Sequence, residues 1–549
     1  MNTIETIQQA LDNYIQQLYT LEIEVVKKFL YTINIDEARQ QFGDLSSSAP
    51  LVLGKHLGKN PKELAQAIAV GFKHPLIEQI SIAGPGFLNL HFSPTAYLKL
   101  VEEFDKQQEA FFKPASLDKK HYNVEFVSAN PTGPLHIGHG RGGIIGDVLG
   151  NILKFVGHQV TKEFYINDAG VQIEKLGLSF KARCYHELGM EMVLPEDGYQ
   201  GAYLIDLAKG CVKEYGKKLV NEPDSFFATY AKNKLLKEQE ETLAQFGITF
   251  DTWFSETMLH KEEKITQAVN LLKERGYLYE SEGALWFKST ELGDDKDRVL
   301  RKSDGQWTYV APDMAYMLNK VQRGANRLIM VLGQDHHGYV DRMQGLHQAL
   351  GLEKEPLEII LYQLVSLKES GQQVRMSKRA GKMVCLRDVI ETVGADVSRF
   401  FFLNRKADAQ LEFDIDLALK KTEENPVYYI QYAYVRIGSI LKKAAEQEVL
   451  GAISLDDAQH LSASEQILIK KIVTLKELLE SMSHTYHTHQ LSYYALELAQ
   501  VFHAYYSKNK VIDLDNIPQS RARLLVLEHV QRTLRMVLAL LGLSCPERM

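Results

Sequence analysis

The chain has 549 residues, 45% of them hydrophobic and 24% charged, with a formal net charge of −7. That length exceeds the roughly 250–300 residues at which a single core stops growing, so several domains are expected. The acidic balance excludes indiscriminate nucleic-acid binding while leaving room for local basic surfaces, and no apolar run approaches the roughly 18 residues of a membrane span.

The start, MNTIETIQQALDNYIQQ, is polar and amphipathic, with neither the basic nor the apolar region of a secretion signal, so a cytoplasmic location is the default expectation. Residues 1 to about 115 open with two helical patterns, pass through Ala49–Leu57 and Pro61–Phe72, and reach a strand-like Ile80–Phe92 broken by Gly84, Pro85 and Gly86. Leu88, Leu90 and Phe92 fall on one face of that strand and Asn89 and His91 on the other, the period of a half-buried strand. The segment reads as a small α/β domain of its own.

Val124 to Gly170 reads VEFVSANPTGPLHIGHGRGGIIGDVLGNILKFVGHQVTKEFYINDAG. A strand pattern over Tyr122–Ser128 leads into a Pro/Gly-broken loop, then a helical pattern from about Gly140 to Phe155 and a second strand near Gln159–Ile166, which is half of a parallel nucleotide-binding unit. His136 and His139 stand where the loop gives way to the helix, so both can face the unpaired amides of its first turn, a place that suits phosphate. Gly138, Gly140, Gly142 and Gly143 leave little side chain in the way of a ligand. A Gly-rich packing turn with incidental histidines is the bland reading, and it weakens because strand, loop and helix come in the right order.

From Gly170 to about Asp304 the pattern is mostly helical, as in Ala231–Phe246 and Lys261–Glu274, with short strands around Ala284–Lys288. It reads as an insertion joining two halves of one nucleotide-binding fold. The second half resumes at Trp307, Thr308 and Tyr309, with a helix starting near Pro312, a strand Arg327–Leu332, the turn Gln334–Gly338, a helix to about Leu350 and a strand Leu357–Val365. Residues after strand ends are where open α/β sheets place ligands. Asp335, His336 and His337 are adjacent in a turn and such neighbours rarely converge on one ion, so no metal site is expected there. The basic, glycine-containing segment Gln373–Lys382 follows; taken alone, it is a solvated basic loop.

From about Leu417 the pattern is almost wholly helical, with Pro426 near one helix start. Basic and acidic residues are in near balance there while the rest of the chain is more acidic, an asymmetry too small to imply RNA by itself. Tyr428, Tyr429, Tyr432 and Tyr434 lie close together; such clusters usually belong to a core, though stacking aromatics also hold splayed bases. His484, His487 and His489 have no carboxylate at metal-ligand spacing and read as helix surface. Cys184, Cys211, Cys385 and Cys545 are scattered without CxxC spacing, so neither a disulfide framework nor a zinc site is indicated.

SANPTGPLHIGH resembles the HIGH signature of class I aminoacyl-tRNA synthetases, and its surroundings resemble the arginyl-tRNA synthetases in particular. VRMSKRAGK resembles the KMSKS loop of the same class, with Arg375 in place of the first Lys, Arg379 in place of the last Ser, and Lys378 retained. ENPVYYIQYAYVRI and the terminal CPERM resemble the anticodon-binding bundle of that family. The resemblance implies a multidomain α/β protein. Residues 1–115 would be a small α/β domain against the tRNA elbow, and 116–416 a class I Rossmann-type catalytic domain whose helical insertion, about 171–304, approaches the acceptor end. Residues 417–549 would be an all-α helical bundle that binds the anticodon.

It further implies ATP-dependent ligation of L-arginine to tRNA(Arg) through an arginyl-adenylate, by a monomer that uses Mg²⁺ with the nucleotide and no zinc. Catalysis falls to His136, His139 and Lys378, and ATP binding to His136, Gly138, His139, Met376, Ser377 and Lys378. Glu125, Ser128, Asn130, His139, Tyr309, Asp313 and Gln334 take arginine, with Asp313, Tyr309 and Glu125 the candidates for its guanidinium and Asn130 and Gln334 for its α-amino end, and Tyr429, Ala433 and Met549 approach the anticodon. Carboxylates match the planar donor fork of a guanidinium, although Asp313 also suits a helix N-terminus with no ligand at all. A site that pairs a guanidinium rejects analogues lacking it, so no editing domain is demanded. In many arginyl enzymes without the second KMSKS lysine, a lysine three residues before the first HIGH histidine stands in for it; this chain has Gly133 there. A small-molecule nucleotidyltransferase would not need the terminal domains, and an inactive RNA-binding relative would not retain His136, His139, Lys378 and Asp313 together.

Overall fold

The computed structural model describes residues 2–374, 384–447 and 450–549. In the N-terminal part, strands β1 (Tyr31–Ile33), β2 (Leu45–Ser47), β3 (Ile77–Ala83) and β4 (Phe87–Phe92) form an antiparallel sheet in the order β1-β2-β4-β3. The Gly84–Gly86 break is the turn of the β3–β4 hairpin. Leu88, Leu90 and Phe92 enter the core, and Asn89 on the opposite face is buried as well.

The central sheet is parallel. It comprises β5 (His121–Phe126), β6 (Gln159–Ile166), β7 (Thr252–Ser255), then β11 (Arg327–Gly333) and β12 (Leu357–Tyr362), in the order β12-β11-β5-β6-β7. Between them in sequence lie β8 (Leu278–Ser281), β9 (Ala284–Phe287) and β10 (Arg298–Arg301), an antiparallel sheet of their own. The chain moves outward one way from β5 through β6 and β7, and the other way through β11 and β12. The strand order therefore reverses between β5 and β11, where an open sheet leaves a crevice beyond its strand ends. The segment expected as a helical insertion also supplies an edge strand of this sheet, β7, too short for periodicity to separate from the helices around it. Alternation in β5 suggests a half-buried strand, yet Asn123 and Glu125 are as buried as Val124 and Phe126. Both faces of a parallel sheet are covered by crossovers, so a polar residue inside it requires a polar partner.

The helix Ile137–Val156 crosses the sheet in close contact. A Cβ at Gly142 would stand 2.5 Å from the Tyr362 ring, and one at Gly146 would stand 2.2 Å from the Phe126 ring. These glycines let the helix sit on the strands. Arg141 on the same helix is fully buried and donates to the carbonyls of Gln363 at 2.6 Å and Lys406 at 2.9 Å. It thereby fixes the chain where it leaves the central sheet after Tyr362, so the expected strand to Val365 divides into β12 and β13 (Val365–Glu369), the latter pairing with β14 (Gln372–Val374) and β15 (Leu411–Asp414).

The C-terminal part packs the helices Pro426–Ala445, Ala463–Thr485, His489–Lys508 and Ile517–Leu541. Pro426 takes the first helical position, where its missing N–H costs nothing, behind the Asn425 cap. This bundle is bolted to the histidine-bearing helix. Arg399, 1% exposed, pairs with Asp147 and donates to the Leu541 carbonyl at 2.8 and 3.0 Å, and Asn151 reaches the Leu540 carbonyl at 3.1 Å. The last-turn carbonyls of a helix lack intrahelical partners, so these donors complete them. Lys470 of the bundle also pairs with Asp44 of the N-terminal sheet at 2.8 Å. Among the described residues no helix is long and apolar enough to cross a membrane.

Candidate active site

At the end of β5 the backbone turns left-handed at Val127 (φ 68°) and Ser128 (φ 40°). Positive φ is costly for a β-branched residue, of order 1–3 kcal/mol, and such strain persists only where the surroundings impose it. Here the turn folds Ser128 back, so that its Oγ donates to Glu125 Oε1 at 3.0 Å and accepts the Tyr165 N–H at 3.1 Å. The other Glu125 oxygen takes Lys320 Nζ at 2.5 Å, an ion pair in which both side chains are buried. Lys320 also lies 4.3 Å from the Tyr316 ring centroid, and Tyr316 donates to Glu163 at 2.6 Å.

Tyr165, Tyr316 and Lys320 help wall a cavity of about 290 Å³ at the β5/β11 crevice, and Glu125, Ser128, Asn130, Tyr309 and Asp313 all line it. Gln334 begins the turn after β11, and from that turn His336 and Tyr339 reach the cavity wall. The helix expected near Pro312 starts at Val310, with Tyr309 as its cap and Asp313 in its first turn; Pro312 is tolerated there because the first amides have no helical partners anyway. Tyr309 is 64% exposed at the mouth, while Asp313 keeps an accessible edge toward the cavity and is otherwise enclosed by protein.

Burial pushes the Asp313 carboxyl up to about 7; Tyr339 donates to it, Glu256 and Glu125 raise it further, and Arg342 offsets them in part. Burial likewise raises Glu256, which hydrogen-bonds with Tyr165. Three carboxyl groups thus crowd one small space. The arrangement suits a cationic, planar donor group, which would restore charge to the acids and engage the phenols around them.

Glu256, Tyr165 and Tyr339 escape sequence reasoning. Glu256 follows the four-residue β7 inside a long helical stretch, so no periodic signal marks it. Tyr165 lies near the end of β6 within FYINDAG, where the rule that ligands gather at strand ends would have found it.

His136 and His139 form a second group. His136 caps the helix Ile137–Val156, its Nδ1 accepting the Gly138 N–H at 3.1 Å and the His139 N–H at 3.4 Å, while His139 Nδ1 accepts the His136 N–H at 3.2 Å. The rings stack with centroids 3.6 Å apart. The first-turn amides expected to face a ligand are therefore taken by the histidine rings. With Nδ1 accepting a backbone N–H in each ring, Nε2 is the nitrogen that carries the ring proton and can donate. Nor do the glycines form an open cradle: a Cβ at Gly140 would meet Leu386, and one at Gly143 would meet Ile248 and Val127. Met376, Ser377 and Lys378 lie outside the described residues. Cys385, shortly beyond them, forms an isolated β-bridge with His136.

On the bundle, Tyr429 is half-buried against His503 and Met549 is 49% exposed, whereas Ala433 is fully buried and offers no surface to a ligand. Tyr428 and Tyr432 stack, and Arg436 lies 5.0 Å from the Tyr432 centroid and 5.7 Å from that of Tyr506. Among the described residues no group of three or more His, Cys, Asp or Glu is arranged to hold a metal ion. A second cavity of about 300 Å³, between the N-terminal part and the bundle, is lined by Arg532 and Arg535 against the single carboxylate of Glu109, a balance that disfavours a cation.

Family models match three successive stretches: an arginyl tRNA synthetase N terminal domain over 5–92, a class I (R) tRNA synthetase catalytic domain over 103–400, and a DALR anticodon binding domain over 430–549. A Bacillus subtilis arginine–tRNA ligase is 43% identical over 513 residues, 92% of either chain. A Campylobacter jejuni structure described as an arginyl-tRNA synthetase is similar with a TM-score of 0.76 at 34% identity, covering 83% of this chain and all of that one. The Thermus thermophilus arginyl-tRNA synthetase shares the fold, with a TM-score of 0.74 at 20% identity over 99% of this chain and all of that one.

Proposed function

The chain belongs to the arginyl-tRNA synthetase family, and from that premise we propose how its residues divide the work. Its activity is ATP-dependent ligation of arginine to tRNA through an adenylate. In the first step an arginine carboxylate oxygen attacks the α-phosphorus of ATP and the bond to the β-phosphate breaks, releasing diphosphate. In the second a terminal ribose hydroxyl of the tRNA attacks the arginyl carbonyl and AMP leaves. No protein nucleophile is required, so catalysis rests on positioning and on donors aimed at developing charge.

The guanidinium sits among Asp313, Glu256, Tyr165 and Tyr339, beneath Tyr309. Glu125, already bound to Lys320, together with Ser128, Asn130 and Gln334, holds the α-amino end. The Nε2–H groups of His136 and His139 meet the phosphates at the helix start beside Gly138. Met376, Ser377 and Lys378 complete the ATP site from the segment whose chain returns to His136 at Cys385. Mg²⁺ arrives on the nucleotide and neutralises phosphate charge. Tyr429 and Met549 face the anticodon, with the Tyr428–Tyr432–Arg436 ladder beside them offering stacking surfaces. The enzyme works as a monomer in the cytoplasm, and light scattering of the purified chain tests the first point.

The observation that carries the arginine assignment is the convergence of buried carboxyl groups and phenols in one cavity. Citrulline, which matches arginine in shape but lacks the charge, tests it. In tRNA-supported pyrophosphate exchange it is expected to be rejected by about 10⁴-fold, because it leaves buried polar groups unpaired. Comparable use of citrulline would overturn the assignment.

A further inference from the structure

Glu256 opens the six-residue helix Glu256–Lys261 directly after β7, and too few hydrogen bonds hold so short a helix to fix the direction of its first side chain. Ser255, at the cap position, does not cap it. The cap comes from elsewhere in the chain. Asp168, two residues beyond the end of β6, accepts the Thr257 N–H at 3.1 Å and the Thr257 hydroxyl at 3.0 Å, both on Oδ1. It also takes the Ser255 hydroxyl at 2.9 and 2.8 Å. The residues on either side of Glu256 are thus both fastened to one carboxylate, whose side chain is 9% exposed.

We propose that Asp168 is a positioning residue for arginine recognition, capping the Glu256 helix from another strand end and so fixing the Glu256 carboxyl group against the guanidinium end of the cavity. Lys232, 3.4 Å from Asp168 Oδ2, supplies the countercharge that lets Asp168 remain ionised in this enclosed position. The other groups facing it are the Ser255 and Thr257 donors, which together hold its carboxyl below the usual range despite burial. As a like charge near Glu256, Asp168 works against ionisation of that residue, so its benefit to arginine is geometric, and this separates the proposal from a simple electrostatic role. The residue gives no sign of this in sequence, since Asp168 and Glu256 are 88 positions apart.

The inference rests on Glu256 being a guanidinium partner, and a double-mutant cycle in the full chain tests the two ideas separately. Arginine and ATP affinities are measured for Glu256→Gln, Asp168→Ala and the double variant. Glu256→Gln is expected to weaken arginine binding tenfold or more, and Asp168→Ala about tenfold, with ATP binding unchanged; the double variant should be no worse than Glu256→Gln alone. Asp168→Asn, which keeps an oxygen acceptor for Thr257, should retain more affinity than Asp168→Ala. Arginine affinity within twofold of wild type in Asp168→Ala, additive losses in the double variant, or Asp168→Asn as weak as Asp168→Ala would overturn the positioning role. An unaltered affinity in Glu256→Gln would overturn the reading of Glu256, and the proposal with it. Should Asp168→Ala fail to fold, Thr257→Val removes one bond to Asp168 while keeping the N–H, and is expected to weaken arginine about threefold with the same loss of additivity; no effect there counts against the proposal.

Discussion

Arginine binding should be coupled to a proton, and pH is the perturbation that exposes this. The Asp313 carboxyl is held at about 7 in the ligand-free cavity, so below that pH it is neutral and cannot pair with a guanidinium. If only the ionised form binds, affinity falls by a factor of about 1 + 10^(7−pH), roughly 1.1 at pH 8 and 11 at pH 6. The expected result is a tenfold weakening over that interval, with nearly one proton released per arginine bound at pH 6 and almost none at pH 8. Calorimetric titration of arginine in two buffers of different ionisation enthalpy measures both quantities. ATP is omitted, because its terminal phosphate titrates in the same range. Glu256 is raised in the same direction, so the steps belong to an interacting pair and a variant must assign them. Asp313→Asn should flatten the slope attributed to Asp313 and cost about 1.5–3 kcal/mol of arginine affinity at pH 8, the scale of a charge-assisted hydrogen bond. Affinity within twofold between pH 6 and pH 8, or an undiminished slope in Asp313→Asn, would refute the reasoning.

Three other outcomes are expected. Lys378→Ala should lose roughly 10²–10³ in kcat for adenylate formation, and adding Gly133→Lys should recover part of it: Gly133 has no left-handed backbone to forbid a side chain, though its Cβ would touch the Tyr203 ring at 3.4 Å. Single-turnover kinetics of both single variants and the double variant decide this, and a double variant no faster than Lys378→Ala shows that the two cations are not interchangeable. Adenylate formation should depend on bound tRNA, so robust pyrophosphate exchange by the intact chain without tRNA would contradict the coupling; truncation at Leu417 is a poorer test, since it removes the Leu541 carbonyl and strips partners from buried Arg399. His529 is buried and held neutral, its pKa lowered to about 4. The unfolded chain therefore gains a proton first as pH falls below about 6.5, and the folded state loses about 2–3 kcal/mol of stability between pH 7 and pH 4. Denaturant unfolding of wild type and His529→Gln should differ in that pH slope, and identical slopes would exclude the assignment.

What the sequence determined was local. The strand–loop–helix order around His136 and His139, the strand Gln159–Ile166 and the Pro426 helix start are all written in neighbouring residues, because periodicity and caps act over a few positions. The type of chemistry was legible too, through the resemblance of SANPTGPLHIGH to the signature of class I aminoacyl-tRNA synthetases. Tertiary structure decided the rest, wherever partners lie far apart in the chain. It turned the first-turn amides from a ligand cradle into a mutual cap of two imidazoles, which sets the tautomer that makes each ring a donor. It packed most of the glycines against side chains of other elements, buried Ala433, and drew β7 out of the helical insertion into the central sheet. The acids that line the cavity come from β5 and the helix before β11, and Glu256, on the helix after β7, lies close enough to raise Asp313. Burial raises both Asp313 and Glu256, and the nearness of Glu256 and Glu125 raises Asp313 further, because desolvation and mutual repulsion depend on distance through space, which no spacing along the chain encodes.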